Sequence, residues 1–150
     1  MKRILIVILN LFLVLSVFGQ KQTSLYFEFT YSCEFLSSDF DSQRSVMTYY
    51  YGDKVNDVII VIDVSTRETH WGNKESIDIM VSDFGNVKNV AGYFCGNYAL
   101  ITDIKENDGS VNKSAMFAKA KRMYRIAVLS TSNESVLKAY NQIEKTFVFK

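Results

Sequence analysis

Residues 122–149 read RMYRIAVLSTSNESVLKAYNQIEKTFVF, a strand followed directly by a helix. In Arg122–Leu129, Tyr124, Ile126 and Val128 fall on one side, the alternation of a half-buried strand. Thr131 and Glu134 make a capping box, in which each side chain satisfies a free backbone donor at the start of the helix. Val136, Tyr140 and Ile143 then follow at i, i+4 and i+7, which is one apolar helix face. Thr146-Phe147-Val148-Phe149 closes the segment, extended and apolar.

Upstream, most of the pattern is strand. In Ser24–Tyr31, Leu25, Phe27, Phe29 and Tyr31 alternate with more polar residues, so one face is expected to be buried. Ser37–Gln43 is polar and short-sided and reads as a loop. Ser45–Tyr51 is a second strand, ended by a turn at Gly52-Asp53-Lys54. Asp57–Val64 (DVIIVIDV) is apolar on both faces, the signature of a strand covered on both sides. A first helix is expected after Asn73, which can cap it, with Ile77, Met80, Val81 and Phe84 on one face and Gly85 ending it after about three turns. Ala91–Gly96 and Tyr98–Lys105 are further strands, and Asn107-Asp108-Gly109 is a turn signal. Val111–Lys121 fits a strand and a short helix equally well. Consecutive strands interrupted by about two helices predict an α+β fold with an antiparallel sheet.

The beginning of the chain is of a different kind. Lys2 and Arg3 precede a run from Ile4 to Phe18 that is apolar except for Asn10 and Ser16, and Val17-Phe18-Gly19 follows with a small residue at its end. This is the order of a cleavable signal peptide over residues 1–19. The apolar run is about 15 residues, short of the about 20 that a spanning helix needs. Residues 20–150 then form a single exported domain, periplasmic or secreted, with no stable membrane span after cleavage. Without Lys2 and Arg3, 15 basic residues face 16 acidic ones. A near-neutral domain with no basic run offers no electrostatic footprint for nucleic acid. Nine Tyr and eleven Phe favour strands, and there is no Pro to make a rigid linker.

The Gly92-Tyr93-Phe94-Cys95-Gly96 strand, the turn at Asp108-Gly109, the strand Arg122–Val128 and the final helix running into Thr146-Phe147 resemble the PsbP/DcrB/Mog1-like family. The resemblance covers roughly residues 24–149. It implies an antiparallel sheet with helices on its faces, sandwich-like, and a non-enzymatic accessory or partner-binding role. The matching positions are core and turn residues, so it carries over no binding site.

The residues themselves offer little chemistry. His70 is the only histidine, in a polar loop, and no nucleophile-elbow context accompanies it, so no catalytic residue is expected. Two isolated cysteines and one histidine lack zinc-ligand spacing, and no metal or other cofactor is expected. In Asp103–Gly109, placing Gly109 at the sixth position of a calcium loop puts Ile104 where the first carboxylate belongs, so the segment reads as a hairpin tip. Cys33 and Cys95 are candidates for a disulfide closing a loop of about 60 residues, with two unpaired thiols as the alternative. Asn112-Lys113-Ser114 and Asn133-Glu134-Ser135 match the glycosylation sequon.

Among Tyr49, Tyr50 and Tyr51, strand alternation puts Tyr50 on the face opposite its neighbours. Tyr50 and Trp71 are therefore the candidate ligand-binding residues. The expected function is docking on another protein of the cell envelope. The alternatives are carriage of a small apolar ligand in a pocket between sheet and helices, and hydrolysis, for which no nucleophile–base pair is recognisable.

Overall fold

The apolar run beginning at Asp57 forms the middle of a large antiparallel sheet, and the rest of the chain is arranged around it. The computed structural model describes residues 19–84 and 87–150. The segment expected as a signal peptide, apart from Gly19, lies outside the described residues, as does Gly85. In chain order the strands are β1 (Lys21–Thr23), β2 (Phe27–Thr30), β3 (Glu34–Asp41), β4 (Val46–Asp53) and β5 (Val58–Ser65). Helix α1 (Lys74–Met80) follows, and then β6 (Ser82–Phe84), β7 (Val87–Phe94), β8 (Asn97–Lys105), β9 (Val111–Lys119) and β10 (Arg122–Ser130). Helix α2 (Asn133–Thr146) and β11 (Val148–Phe149) complete the fold, a sheet-dominated α+β architecture.

Eight strands form one sheet in the order β3-β4-β5-β10-β9-β8-β7-β6, and β1-β2-β11 form a small second one. Two meanders make up the large sheet. The first runs from the β3 edge to β5 at the centre. The chain then crosses through α1 to the far edge, and the second meander returns from β6 to β10, which pairs with β5.

Register decides what each face carries. Tyr51 pairs with Ile60, and Ile60 with Val128; Tyr49 pairs with Ile62, and Ile62 with Ile126. These residues face α2, whose buried positions are Val136, Ala139, Tyr140 and Ile143. Phe147 stacks on Phe27 at 5.3 Å and sets its edge against Tyr124 at 6.5 Å, so the small sheet, the helix end and the large sheet share one aromatic core. Helix α1 lies on the opposite face, where the Tyr98 hydroxyl donates to Asp78 at 2.6 Å. Ile77 and Leu100 are buried there, outside the main core.

Several expectations need correction. Ser37–Gln43 is not a loop: most of it belongs to edge strand β3, exposed along nearly its whole length, where short polar side chains cost nothing. Val111–Lys119 is a strand. The first helix is two turns, not three, because Ser82–Phe84 leaves it to pair with β7, and Val81 rather than Gly85 caps its end. Asn73 does cap its start, accepting from the Ser76 amide at 2.9 Å. In α2 the cap is Ser132, which accepts from Ser135, whereas the Thr131 hydroxyl donates to Asp57. Strand β5 is fully covered on one face and only in part on the other: Val58, Ile60, Ile62 and Val64 are buried, whereas on the opposite face Asp63 and Ser65 are buried but Ile59 is 49% exposed.

Candidate functional site

The face of the sheet turned away from α2 carries the other set of alternate residues, and here polar groups run in a line across three strands and end on a methionine of the fourth. Thr48 pairs with Asp63, Asp63 with Arg125, and Arg125 with Met116. Asp63 is a carboxylate in the middle of an otherwise apolar strand, and a charge in that position needs partners. It has three: the Thr48 hydroxyl donates at 2.7 Å, Arg125 Nε donates at 2.7 Å, and a terminal Arg125 nitrogen lies at 2.6 Å. Arg125 is thereby held in one orientation with half of its side chain still exposed.

One wall of this face is the loop from Thr66 to Asn73, which joins β5 to α1. It is tied down on both sides. The Thr66 amide and hydroxyl both donate to the Ser45 carbonyl, at 2.7 and 3.0 Å, and the Thr69 amide donates to the Lys121 carbonyl at 2.9 Å. The Ser65 hydroxyl donates to the Arg67 carbonyl and accepts from the Met123 amide. Gly72 then passes over β9 with φ +84°, and a Cβ there would lie 2.7 Å from the Phe117 carbonyl carbon. Only glycine permits both the conformation and the approach. Below the loop, Ala120 and Lys121 form the two-residue β9–β10 turn with φ of 50° and 62°, a conformation usually given to Asn and Gly.

Between this wall and the β3–β4 turn lies an open cleft of about 720 Å³, within the size range of about 300–1,000 Å³ typical of ligand sites. Its floor includes Val61, Met116 and Met123, and its rim includes Arg44 and Arg67. Tyr50 and Trp71, the two sequence-derived candidates, both line it. Tyr51, by contrast, is 2% exposed in the core, and Tyr49 packs against that core, so the alternation of the three tyrosines is as expected. Asp63 and Arg125 escaped the sequence reading. A lone interior carboxylate in DVIIVIDV and a lone interior cation in RMYRIAVL were the available signals, but their pairing spans 62 residues.

The other candidate groups do not join the cleft. His70 is exposed beside α1, in a shallow pocket with Glu75 and Ile79. The Asp103–Gly109 segment is the end of β8 and a hairpin tip, where Asp108 accepts from the Ser110 amide at 2.9 Å. Asn133 is exposed in the first turn of α2, whereas Asn112 is part-buried with its side-chain oxygen unpartnered. No group of three His, Cys, Asp or Glu among the described residues could hold a metal ion. No helix among them is long and apolar enough to cross a membrane.

Cys33 and Cys95 are free thiols. Cys33 is buried close to Tyr51 and Asp53 on β4. Cys95 sits in the β7–β8 turn and donates to the Glu144 carbonyl at 3.0 Å. Four strands separate β4 from β7, far beyond the Cα separation of about 7 Å that a disulfide can bridge. Burial pushes the Cys33 thiol up to about 12, with Asp53 adding to the effect. Burial likewise pushes Cys95 up to about 12, with Glu144 adding to it. Both are therefore poor nucleophiles at neutral pH.

No family model matches the chain, and no curated protein does. Among solved structures it is similar to the crystal structure of LpqN involved in cell envelope biogenesis of Mycobacterium tuberculosis, at 12% identity, covering 88% of this chain and 85% of that one, with a TM-score of 0.45.

Proposed function

We propose that the chain is an exported, non-enzymatic binding domain that docks a partner protein of the cell envelope through the cleft on its open sheet face. The observation that carries this reading is the anchored Thr66–Asn73 loop, which brings Trp71 over the same cleft as Tyr50. Tyr, Trp and Arg are the residue types that dominate the energetics of protein interfaces, and this cleft concentrates all three. A large exposed aromatic costs solubility and adds nothing to the core, and Trp71 is 63% exposed.

The reading agrees with the partner-binding role that the resemblance to the PsbP/DcrB/Mog1-like family implies. The layer between sheet and α2 is filled by Phe27, Phe94, Phe117, Tyr140 and Phe147, so an apolar carrier would have to use the open cleft. That cleft is lined by three arginines and three carboxylates, which suits a polar contact surface better than an apolar cargo.

Cross-linking the tagged chain in its native envelope, followed by mass spectrometry of what is retained, tests the proposal. One enriched envelope protein is expected, lost with Tyr50→Ala or Trp71→Ala. Enrichment that survives both substitutions, or no specific partner, overturns it.

A further inference from the structure

Hydrogen-bonding capacity in the cleft is unequally used. All three carboxylates are engaged. Asp63 is held by Thr48 and Arg125. Asp41 accepts from the Gln43 and Arg44 amides at 2.9 and 3.0 Å, and Glu68 pairs with Lys121 at 3.3 Å. The donors are in the opposite condition. Among the described residues the Arg67 guanidinium makes no ion pair or hydrogen bond, and neither the Tyr50 hydroxyl nor the Trp71 indole N–H has a partner. Arg125 spends Nε and one terminal nitrogen on Asp63, out of the five N–H donors an arginine carries. Arg44 reaches Asp41 only at 3.6 Å. With each carboxylate already paired and Arg67, Tyr50 and Trp71 carrying open donors, the balance of the cleft favours an acceptor-rich, negatively charged group.

The floor adds a second requirement. Met116, Met123 and Val61 are apolar, and methionine adapts its shape to whatever side chain lies on it. A free anion satisfies the arginines and leaves this floor wet. An extended peptide satisfies both, with a carboxylate side chain directed to Arg67 and Arg125 and an apolar neighbour on the methionines. Arginine forks match carboxylate geometry with paired hydrogen bonds, which gives the contact direction as well as strength.

We infer that the cleft recognises an acidic segment of its partner, in which an aromatic or large aliphatic residue lies next to Asp or Glu. This rests on the docking reading and names the chemistry of what is docked.

The molecule carries its own reporter. Trp71 is the only tryptophan of the chain and lines the cleft, so its fluorescence reads occupancy directly. The full chain is titrated with three blocked hexapeptides, each with a central Phe flanked by two Asp, two Asn or two Lys. The Asp peptide is expected to shift Trp71 emission saturably and to bind at least about tenfold more tightly than the Asn peptide, with the advantage falling as salt rises. Arg67→Gln is expected to erase most of that advantage. Arg67 is exposed and makes no contact whose loss would unfold the chain, so the variant should keep the parent's unfolding curve.

Equal binding of the Asp and Asn peptides, or an Arg67→Gln variant that still discriminates between them, overturns the inference. If that equal binding is lost in Tyr50→Ala, the docking reading survives without the acidic preference. If anionic vesicles shift Trp71 and no peptide does, the inference falls, and the cross-linking experiment then decides the docking reading separately.

Discussion

Tyr49, Tyr50 and Tyr51 are consecutive on β4, yet they belong to two different environments. Tyr51 sets its edge against Phe29 at 5.1 Å, and Tyr49 against Phe27 at 5.2 Å, both inside the aromatic core under α2. Tyr50 points the other way, into the cleft with Asp63 and Arg125. The strands supply both faces from alternate positions, but the two faces are held by different forces. The covered face is held by burial and aromatic packing. The open face is held by hydrogen bonds and ion pairs, the Asp63–Arg125 pair foremost, and it leaves Trp71 and Tyr50 available to solvent. Stability is therefore expected to reside on one face and recognition on the other.

Four substitutions test that division, in falling order of effect on stability. Phe147→Ala removes a ring that meets Phe27, Phe29, Phe94, Tyr124 and Phe149, and should cost about 3–5 kcal/mol in urea unfolding. A loss below about 1 kcal/mol would mean that the core is not where the covered face is anchored. Gly72→Ala forces a Cβ against the β9 backbone at a positive φ, so about 1–3 kcal/mol is expected together with a changed Trp71 emission as the loop lifts. Unaltered emission would show that the cleft wall does not depend on this glycine.

Asp63→Asn leaves Arg125 without its counter-charge. Because half of that arginine is solvated, the loss should be limited to about 1–2 kcal/mol by thermal unfolding. It is the sharpest test of the boundary, since Asp63 lies on the open face and yet is itself 7% exposed. Tyr50→Ala should change stability by no more than about 0.5 kcal/mol while abolishing partner capture. A Tyr50 variant that unfolds early would assign this side chain to the core after all, and the contrast between the faces would fail at its centre.

Much of this division can be read in the sequence, and where it cannot, the reason is physical. Strong alternation made β10 plain, and the alternation of any strand separated Tyr50 from its neighbours on β4. The 3.6-residue pattern of α2 identified Val136, Tyr140 and Ile143, all of which are buried. Strand β3 was hidden because an edge strand exposed on both faces has no alternation to display. The end of α1 was missed because Val81 and Phe84 continue a helical spacing that pairing with β7 overrides. In α2 two adjacent hydroxyls, on Thr131 and Ser132, competed for the cap, and the long-range bond from Thr131 to Asp57 decided between them. Two residues of the candidate cleft, Tyr50 and Trp71, were within reach. The pairing of Asp63 with Arg125 depends on two strands brought together from distant parts of the chain, and local periodicity cannot report that.

The pairing of β5 with β10 also bears on how the chain reaches its native state. Each meander is built from neighbouring hairpins and can form from local contacts, but the seam between them closes the largest loop within the sheet. The cleft floor straddles that seam, with Val61 and Asp63 contributed by one meander and Met116, Met123 and Arg125 by the other. A chain with only one meander folded offers half a floor, an unpaired charge and nothing for a partner to hold. On the proposed docking function, recognition would be conditional on that long-range closure, and a partner would meet only molecules in which both meanders are joined.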